Sequence, residues 1–426
     1  MICTSKSPSQ PFSKRSQHGI PSLVLSGGWV ALDASTCTRA DLEIVNGRVS
    51  RLIDQNKSNG ARRDSPLSRI SAEIPVEGCL VLPGLINSHD HLEFNLFPRL
   101  GQGPYPNFEK WAGEIFHPES SPVREHLSVP KPVRLWWGGI KNLLCGVTTV
   151  CHHNAYEKNI FGADFPVHVV KRYGWAHSLR FCKDMRKAFL STPRGAPFII
   201  HLAEGSDRSS AEEIFALDLL GALDHRTVIV HGVGLTAPGR ELLRRRGAAL
   251  VWCPSSNRFT LDTTLDPAGI NRSDRISIGS DSALTAEGDL LDEIRAANRE
   301  GMDPGRIYSM VTGYAADVLR LRSGEGKLVP GSVADLVVVK RNEETPAGTL
   351  MSTRLNGIEM VMVSGKPQLV SAKTALCCPS GFLEGFEDIE VGGTSCFVRA
   401  PVRWLLQEAR LHLGPNVHLA GKRVSI

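Results

Sequence analysis

The chain has 426 residues, which at about 100–200 residues per domain predicts two or three domains around a sizeable core. Its apolar share is 42%, its charged share 22%, and Lys+Arg 49 against Asp+Glu 44 leaves a net charge of +5. These are values of a soluble globular protein, without the clustered basic footprint of a nucleic-acid binder. The 10 Cys include no C-x-x-C pair, which argues against a disulfide scaffold and for a reducing, cytoplasmic location, and no apolar stretch reaches the roughly 18 residues of a membrane span.

Residues 1–20 are polar and Ser-rich without an apolar h-region, so a disordered terminus rather than a secretion signal is expected there. From 21 to about 80 the grammar is that of β-hairpins: Ser22-Leu23-Val24-Leu25, Leu42-Glu43-Ile44-Val45 and Cys79-Leu80-Val81-Leu82 are short strand-like runs, punctuated by turn residues such as Asn46-Gly47. Beyond about residue 83, continuous apolar runs take over, at 147–150, 198–200, 228–230, 249–252 and 276–279, as expected of strands buried on both faces of a parallel sheet. Helices separate several of them. Leu242 and Leu243 precede Arg244-Arg245-Arg246 and Gly247, a helix C-terminus with cations in its last turn. Leu290, Leu291, Ile294 and Ala297 keep helical spacing up to Gly301. Alternating units of this kind predict a parallel α/β fold. Strand character returns at 334–339 and 359–363, and these β-rich ends are expected to pair with the N-terminal ones. The tail is Gly-rich and then offers one amphipathic helix with Val402, Leu405, Leu406, Ala409 and Leu413 on its apolar face.

His89-Asp90-His91 places two imidazoles on the same face of a strand end, where they can share one metal ion. His201 closes the run 198–200, His231 closes 228–230, and Asp281 follows 276–280. Four strands each bring a ligand-type side chain to the C-terminal rim, where a parallel barrel carries its active site. Three imidazoles and a carboxylate suit Zn²⁺ or Fe²⁺ rather than Mg²⁺ or Ca²⁺. No His-x-Glu with a later Pro-Cys-x-x-Cys, no His-Glu-x-x-His and no Gly-rich phosphate loop is present. Between residues 92 and 118 lie Phe94, Phe97, Tyr105, Phe108, Trp111 and Phe116, dense for a chain that is 6% aromatic. They can stack on a planar ring or pack the loop down.

Pro83-Gly84-Leu85-Ile86-Asn87-Ser88-His89-Asp90-His91 resembles the first-strand motif of the amidohydrolase superfamily. His201-Leu202-Ala203-Glu204 is similar to the His-x-x-Glu of its cytosine-deaminase/chlorohydrolase branch. His231-Gly232-Val233-Gly234, Trp252-Cys253-Pro254-Ser255-Ser256-Asn257 and Gly279-Ser280-Asp281 resemble the motifs of strands six, seven and eight, and Gly331-Ser332-Val333-Ala334-Asp335 the return into a small β-sandwich.

The resemblance spans about residues 20–370. It implies a distorted (β/α)8 barrel over 81–322, a discontinuous β-sandwich from 21–80 plus 323–372, and a C-terminal extension over 373–426. It implies one divalent ion, zinc with iron as the alternative, on His89, His91, His201 and Asp281. Glu204 would be the proton shuttle and His231 a contact to the attacking water or the substrate. The expected reaction is deamination of a planar amino-heterocycle by metal-bound hydroxide. In that scheme Asp281 takes a proton and Glu204 protonates a ring nitrogen. Attack on a cyclic amide, amidine or halide is the alternative, and a catalytically inactive binding protein the third reading. Lys171 and Lys183 are the only lysines placed to bridge two metals, and both sit in basic, surface-type segments, so one ion is expected. Substrate contacts are assigned to Glu93, Arg99, Trp111 and His153. The expected partner is a small molecule, with no nucleic acid or membrane, and a homodimer as the assembly to test.

Overall fold

The computed structural model describes residues 22–54 and 72–426. The disordered terminus expected at 1–20 lies outside the described residues.

Eight short strands run parallel in two sheets. The first holds β1 (Leu85–Asp90), β2 (Val147–His152) and β3 (His168–Val169). The second holds β4 (Gly174–Ala176), β5 (Phe198–Leu202), β6 (Thr227–His231), β7 (Ala249–Trp252) and β8 (Ile276–Ile278), in that order. The sheets meet where the chain leaving β8 returns to β1: Ser280 N donates to His89 O at 2.9 Å, and a parallel bridge joins Asp90 to Asp281. On the opposite side no ladder joins β3 to β4 among the described residues. Only Val170–Tyr173 separate these two strands. Hydrogen-bonded parallel neighbours need a crossover of a dozen or more residues, so four residues cannot provide one. The parallel strands therefore form two separate ladders, bridged between β8 and β1 and unpaired between β3 and β4.

A third, 13-stranded and mostly antiparallel sheet draws on both ends of the chain. Its centre is the pairing of Leu336–Lys340 with Cys79–Pro83, in register from Leu336↔Pro83 to Lys340↔Cys79. Alternation explains why these strands are apolar throughout. Leu80, Leu82, Val337 and Val339 face the core shared with the parallel strands, while Cys79, Val81, Leu336 and Val338 face a separate core with Leu23, Leu25, Leu42, Ile74, Met360 and Met362. The sheet is thus covered on both faces where it abuts the α/β part.

The tail extends this sheet. Besides the helix Val402–Leu413, which buries Val402, Leu405, Leu406 and Ala409, it contributes Glu387–Val391, Thr394–Val398, His418–Leu419 and Lys422–Ser425. It also docks on the α/β part: Trp137 Nε1 donates to Leu405 O at 3.3 Å, and Lys422 Nζ reaches Asp289 Oδ2 at 2.7 Å and Asp292 Oδ2 at 3.0 Å.

A buried charged pair involves the middle residue of the His89-Asp90-His91 motif. Lys141, on the helix Lys131–Leu144, places Nζ 2.8 Å from Asp90 Oδ2, with side-chain exposures of 2% and 0%. Asn87, Asn142 and Asn95 donate to the same carboxylate at 3.2, 2.7 and 2.9 Å, and Lys141 Nζ donates to Ser280 Oγ at 2.9 Å. Removing one partner of a buried pair strands the other charge, at a cost of about 3–5 kcal/mol. Lys141→Met is therefore expected to lower the unfolding free energy obtained from urea titration by that much. A value within about 1 kcal/mol of wild type, inside the range of ordinary substitutions, would contradict the assignment.

Candidate active site

β1, β5, β6 and β8 all end on the same rim, and each delivers its polar side chain there. His201 Nε2 lies 3.2 Å from His89 Nε2 and 3.3 Å from His91 Nε2. Asp281 Oδ1 lies 3.4 Å from His89 Nε2 and 3.7 Å from His91 Nε2. All four side chains are buried or nearly so. The backbone is bent to achieve this: Ala203, His231 and Asp281 adopt φ of 52°, 72° and 50°, a left-handed region that side chains other than glycine rarely occupy. Such conformations persist only where surrounding contacts hold them.

Those contacts are visible. His201 Nδ1 donates to His177 O at 2.8 Å, so the carbonyl fixes the proton there and leaves Nε2 as a lone pair facing the centre. His231 Nδ1 donates to Asn257 Oδ1 at 2.8 Å, which turns its Nε2 toward Glu204 Oε2, 3.5 Å away. Ser256 and Thr285 hydroxyls donate to Asp281 Oδ2 at 2.6 and 2.9 Å, leaving Oδ1 for the histidines.

The donor set fits a zinc-type ion. Four ligands at about 2.0–2.1 Å around a tetrahedral ion stand about 3.3 Å from one another, and His201 Nε2 and Asp281 Oδ1 each lie 3.2–3.7 Å from the Nε2 atoms of His89 and His91. Burial also pushes the imidazoles of His89, His91 and His201 down, His91 to about 4, so they present lone pairs at neutral pH. Burial opposes ionisation of Asp281, but its hydrogen bond with His89 and the nearby histidines outweigh this and hold its carboxyl well below the usual range. Glu204 behaves in the opposite way. Burial, reinforced by the neighbouring carboxylates of Asp281 and Glu213, pushes it well above the usual range. One rim thus holds a carboxyl whose surroundings favour the ionised form and another whose surroundings favour the protonated form, a division suited to acid and base roles.

Comparison with known proteins agrees with this geometry. The amidohydrolase family model matches residues 176–367. A 5-methylthioadenosine/S-adenosylhomocysteine deaminase of Syntrophobacter fumaroxidans is 24% identical over 385 aligned positions, covering 71% of this chain and 85% of its own. The enzyme of the same name from Thermococcus sibiricus is 24% identical over 422 positions, covering 81% and 93%. Among solved structures, a zinc-bound adenosine deaminase from Xanthomonas campestris superposes with a TM-score of 0.69 at 18% identity, over 91% of this chain and 97% of that one. A zinc-bound atrazine chlorohydrolase from Arthrobacter aurescens gives 0.63 at 15%, over 81% and 95%.

Residues 176–367 thus resemble the amidohydrolase family, and the chain shares its fold with zinc-bound hydrolases. The remaining residues singled out in the sequence separate into two groups. His153 is brought into the cluster, its ring centroid 4.2 Å from that of His201 and 4.9 Å from that of His89. Glu93 is buried, but its carboxylate is engaged by Asn154 Nδ2 at 2.7 Å and lies 3.7 Å from His152 Nδ1, off the ligand set. Arg99 donates to Ala286 O at 3.2 Å and covers the Phe259 ring. Trp111 donates to Leu100 O at 2.9 Å and packs with Phe94, Phe97 and Leu284. Arg99 and Trp111 therefore secure the loop that follows β1. Lys171 and Lys183 are exposed, unlike the buried donors of the rim.

Sequence reasoning missed His177 and the partners that orient the ligands. His177 follows β4 as His201 and His231 close their own strands, so a histidine at a strand end was the available signal. Asn257 and Ser256 sit inside a motif already noted, but their roles depend on contacts across the fold.

Glu293 braces that motif from behind. Its Oε2 accepts the Ser255 N–H at 2.9 Å, and Ser255 Oγ bonds its other oxygen. Burial pushes its carboxyl from 4.5 up to about 8. The folded state thus holds this proton where the unfolded chain has released it. The contribution to stability is full below pH 4.5 and is lost as pH rises through 8. Urea midpoints measured across that window are expected to fall with pH, and Glu293→Gln is expected to flatten the fall. An unchanged slope in the variant would contradict the assignment.

Proposed function

We propose that this protein is a metal-dependent hydrolase that removes the amino group from a planar amino-heterocycle, the purine of an adenosine-type nucleoside being the first candidate. The observation that carries the reading is the pairing of two overlapping metal-type donor groups, His89, His91, His153 and His201, and His89, His201, His231 and Asp281, with a buried Glu204 that belongs to neither and whose protonated form burial favours. The names of the relatives supply the substrate class. The two ladders of parallel strands support a distorted (β/α)8 barrel over about 81–322. The pairing of N- and C-terminal strands supports a small β domain from about 21–80 and 323–372, with 373–426 as its extension.

A bound zinc ion supplies positive charge that makes water a competent nucleophile near neutral pH. Asp281 Oδ1, kept ionised, accepts the water's proton. Glu204 gives its proton to the ring nitrogen beside the attacked carbon, so that the electron pair displaced from the C=N bond is neutralised there. His231, its Nδ1–H held by Asn257, presents the Nε2 lone pair to the site as an acceptor for the attacking water or the Glu204 carboxyl. Asp281 then passes the proton it took from water to the amino group, which leaves as ammonia as the C–N bond breaks, and the new hydroxyl returns a proton to Glu204 as its C=O forms.

The test is ammonia release by zinc-reconstituted protein from adenosine, 5′-methylthioadenosine, S-adenosylhomocysteine, cytosine and amino-triazines, with elemental analysis in parallel. One zinc per chain and turnover of one amino-heterocycle are expected. Chloride release from chlorotriazines without ammonia from any substrate would replace this reading with halide hydrolysis. Zinc binding with no turnover of any of them would favour the inactive binding protein.

A further inference from the structure

We propose that His153 is a fourth imidazole ligand to the same ion, freeing the Asp281 carboxylate for proton transfer. This rests on the metal-dependent reading above. His153 is the residue after β2, and its N–H donates to Asp90 O at 3.0 Å, the carbonyl between the two histidines of the β1 motif. Its backbone is thereby locked to the ligand strand. Its Nε2 lies 2.9 Å from Ala176 O. A carbonyl only accepts, so Nε2 carries the hydrogen and the neutral ring keeps its lone pair at Nδ1. That atom is fully buried and has no hydrogen-bond partner. An orphaned buried acceptor costs about 1–3 kcal/mol, so it calls for an occupant. A carbonyl bond to one ring nitrogen with the other left free is the same preparation seen at His201, and it is how metal-binding histidines are oriented.

Two donor groups exist on this rim: His89, His91, His153 and His201, and His89, His201, His231 and Asp281. The ligand atoms of each lie within 4.8 Å of one another. An imidazole nitrogen has one lone pair and binds one metal through it. Because the groups share His89 and His201, they describe alternative ligations of one ion rather than two separate ions. Ligation by the all-imidazole group keeps the ion held while Asp281 Oδ1 takes up a proton.

The cobalt-substituted protein tests this through imidazole N–H protons, since each ligated ring gives one exchangeable resonance shifted far outside the normal range. His153→Phe keeps a ring stacked on His201 but offers no nitrogen, and His153→Gln keeps a donor for Ala176 O. Both are expected to lose one shifted resonance relative to wild type and to weaken zinc binding at least about tenfold in chelator competition. An unchanged resonance count and zinc affinity in either folded variant would overturn the proposal and leave His153 as packing. Wild-type protein that binds neither zinc nor cobalt would overturn the metal-dependent reading itself, and this inference with it.

Discussion

Glu204→Gln is expected to retain its zinc and lose about 10²–10⁴-fold in turnover, the usual worth of a positioned acid–base group. Glu204 belongs to neither donor group on the rim, so its replacement leaves every ligand in place. Gln is close to isosteric, and the contacts that fix this loop do not use the carboxylate. Phe108 N donates to the Glu204 carbonyl at 3.0 Å, and Ala203 N is held by Glu213. What changes is the proton. A group whose burial keeps it protonated becomes an amide that cannot give a proton to a ring nitrogen. KM is expected to move little and kcat to carry the loss. Near-wild-type turnover on a confirmed substrate would mean that the chemistry needs no protonated ring nitrogen, and hydrolysis of a halide or simple amide would then move ahead.

The candidate residues that meet on the rim were legible because the signal is local: a strand-like apolar run followed at once by His or Asp, at His89, His201, His231 and Asp281. What orients them was not. His201 is fixed by His177 O from β4, His231 by Asn257 from the segment after β7, and Asp281 by Ser256 and Thr285. Each partner is an ordinary polar residue whose role exists only once two distant segments meet. His153 shows the same limit in reverse. In the sequence it is one of two adjacent histidines with no spacing signature, and only the ladder that pairs Asp90 with His152 places it beside the motif.

The fold divides similarly. The helix Ala237–Arg246 ends at Gly247 with φ of 67°, the left-handed stop that its three arginines and glycine announced. The tail strands were missed although a turn signal was there. Gly392 and Gly393, at φ of 57° and 79°, join Glu387–Val391 to Thr394–Val398 as a two-residue hairpin. The acidic residues of the first strand hid its alternation, in which only Ile389 and Val391 turn inward. The short pieces β3 and β4 carry too few residues for any periodicity to show.

His201→Ala is expected to do what Glu204→Gln does not, which is to lose the ion. His201 Nε2 is within 3.2–3.3 Å of both histidines of the β1 motif and belongs to both donor groups, so no alternative ligation survives its removal. Losing a group that merely orients a ligand costs about 10–100-fold in metal affinity, and losing the ligand is expected to cost more than that. The consequence is readable without a substrate. An ion that binds only the folded state stabilises it by about 4 kcal/mol at a thousand times its Kd. Zinc should therefore raise Tm clearly in wild type and in Glu204→Gln, and hardly at all in His201→Ala. Because the comparison is between zinc-loaded and zinc-free forms of the same variant, any packing defect left by the missing ring cancels. If zinc stabilised His201→Ala as much as wild type, the ion would have to sit elsewhere. The assignments of His89, His91 and Asp281 as its ligands would then fall with that of His201.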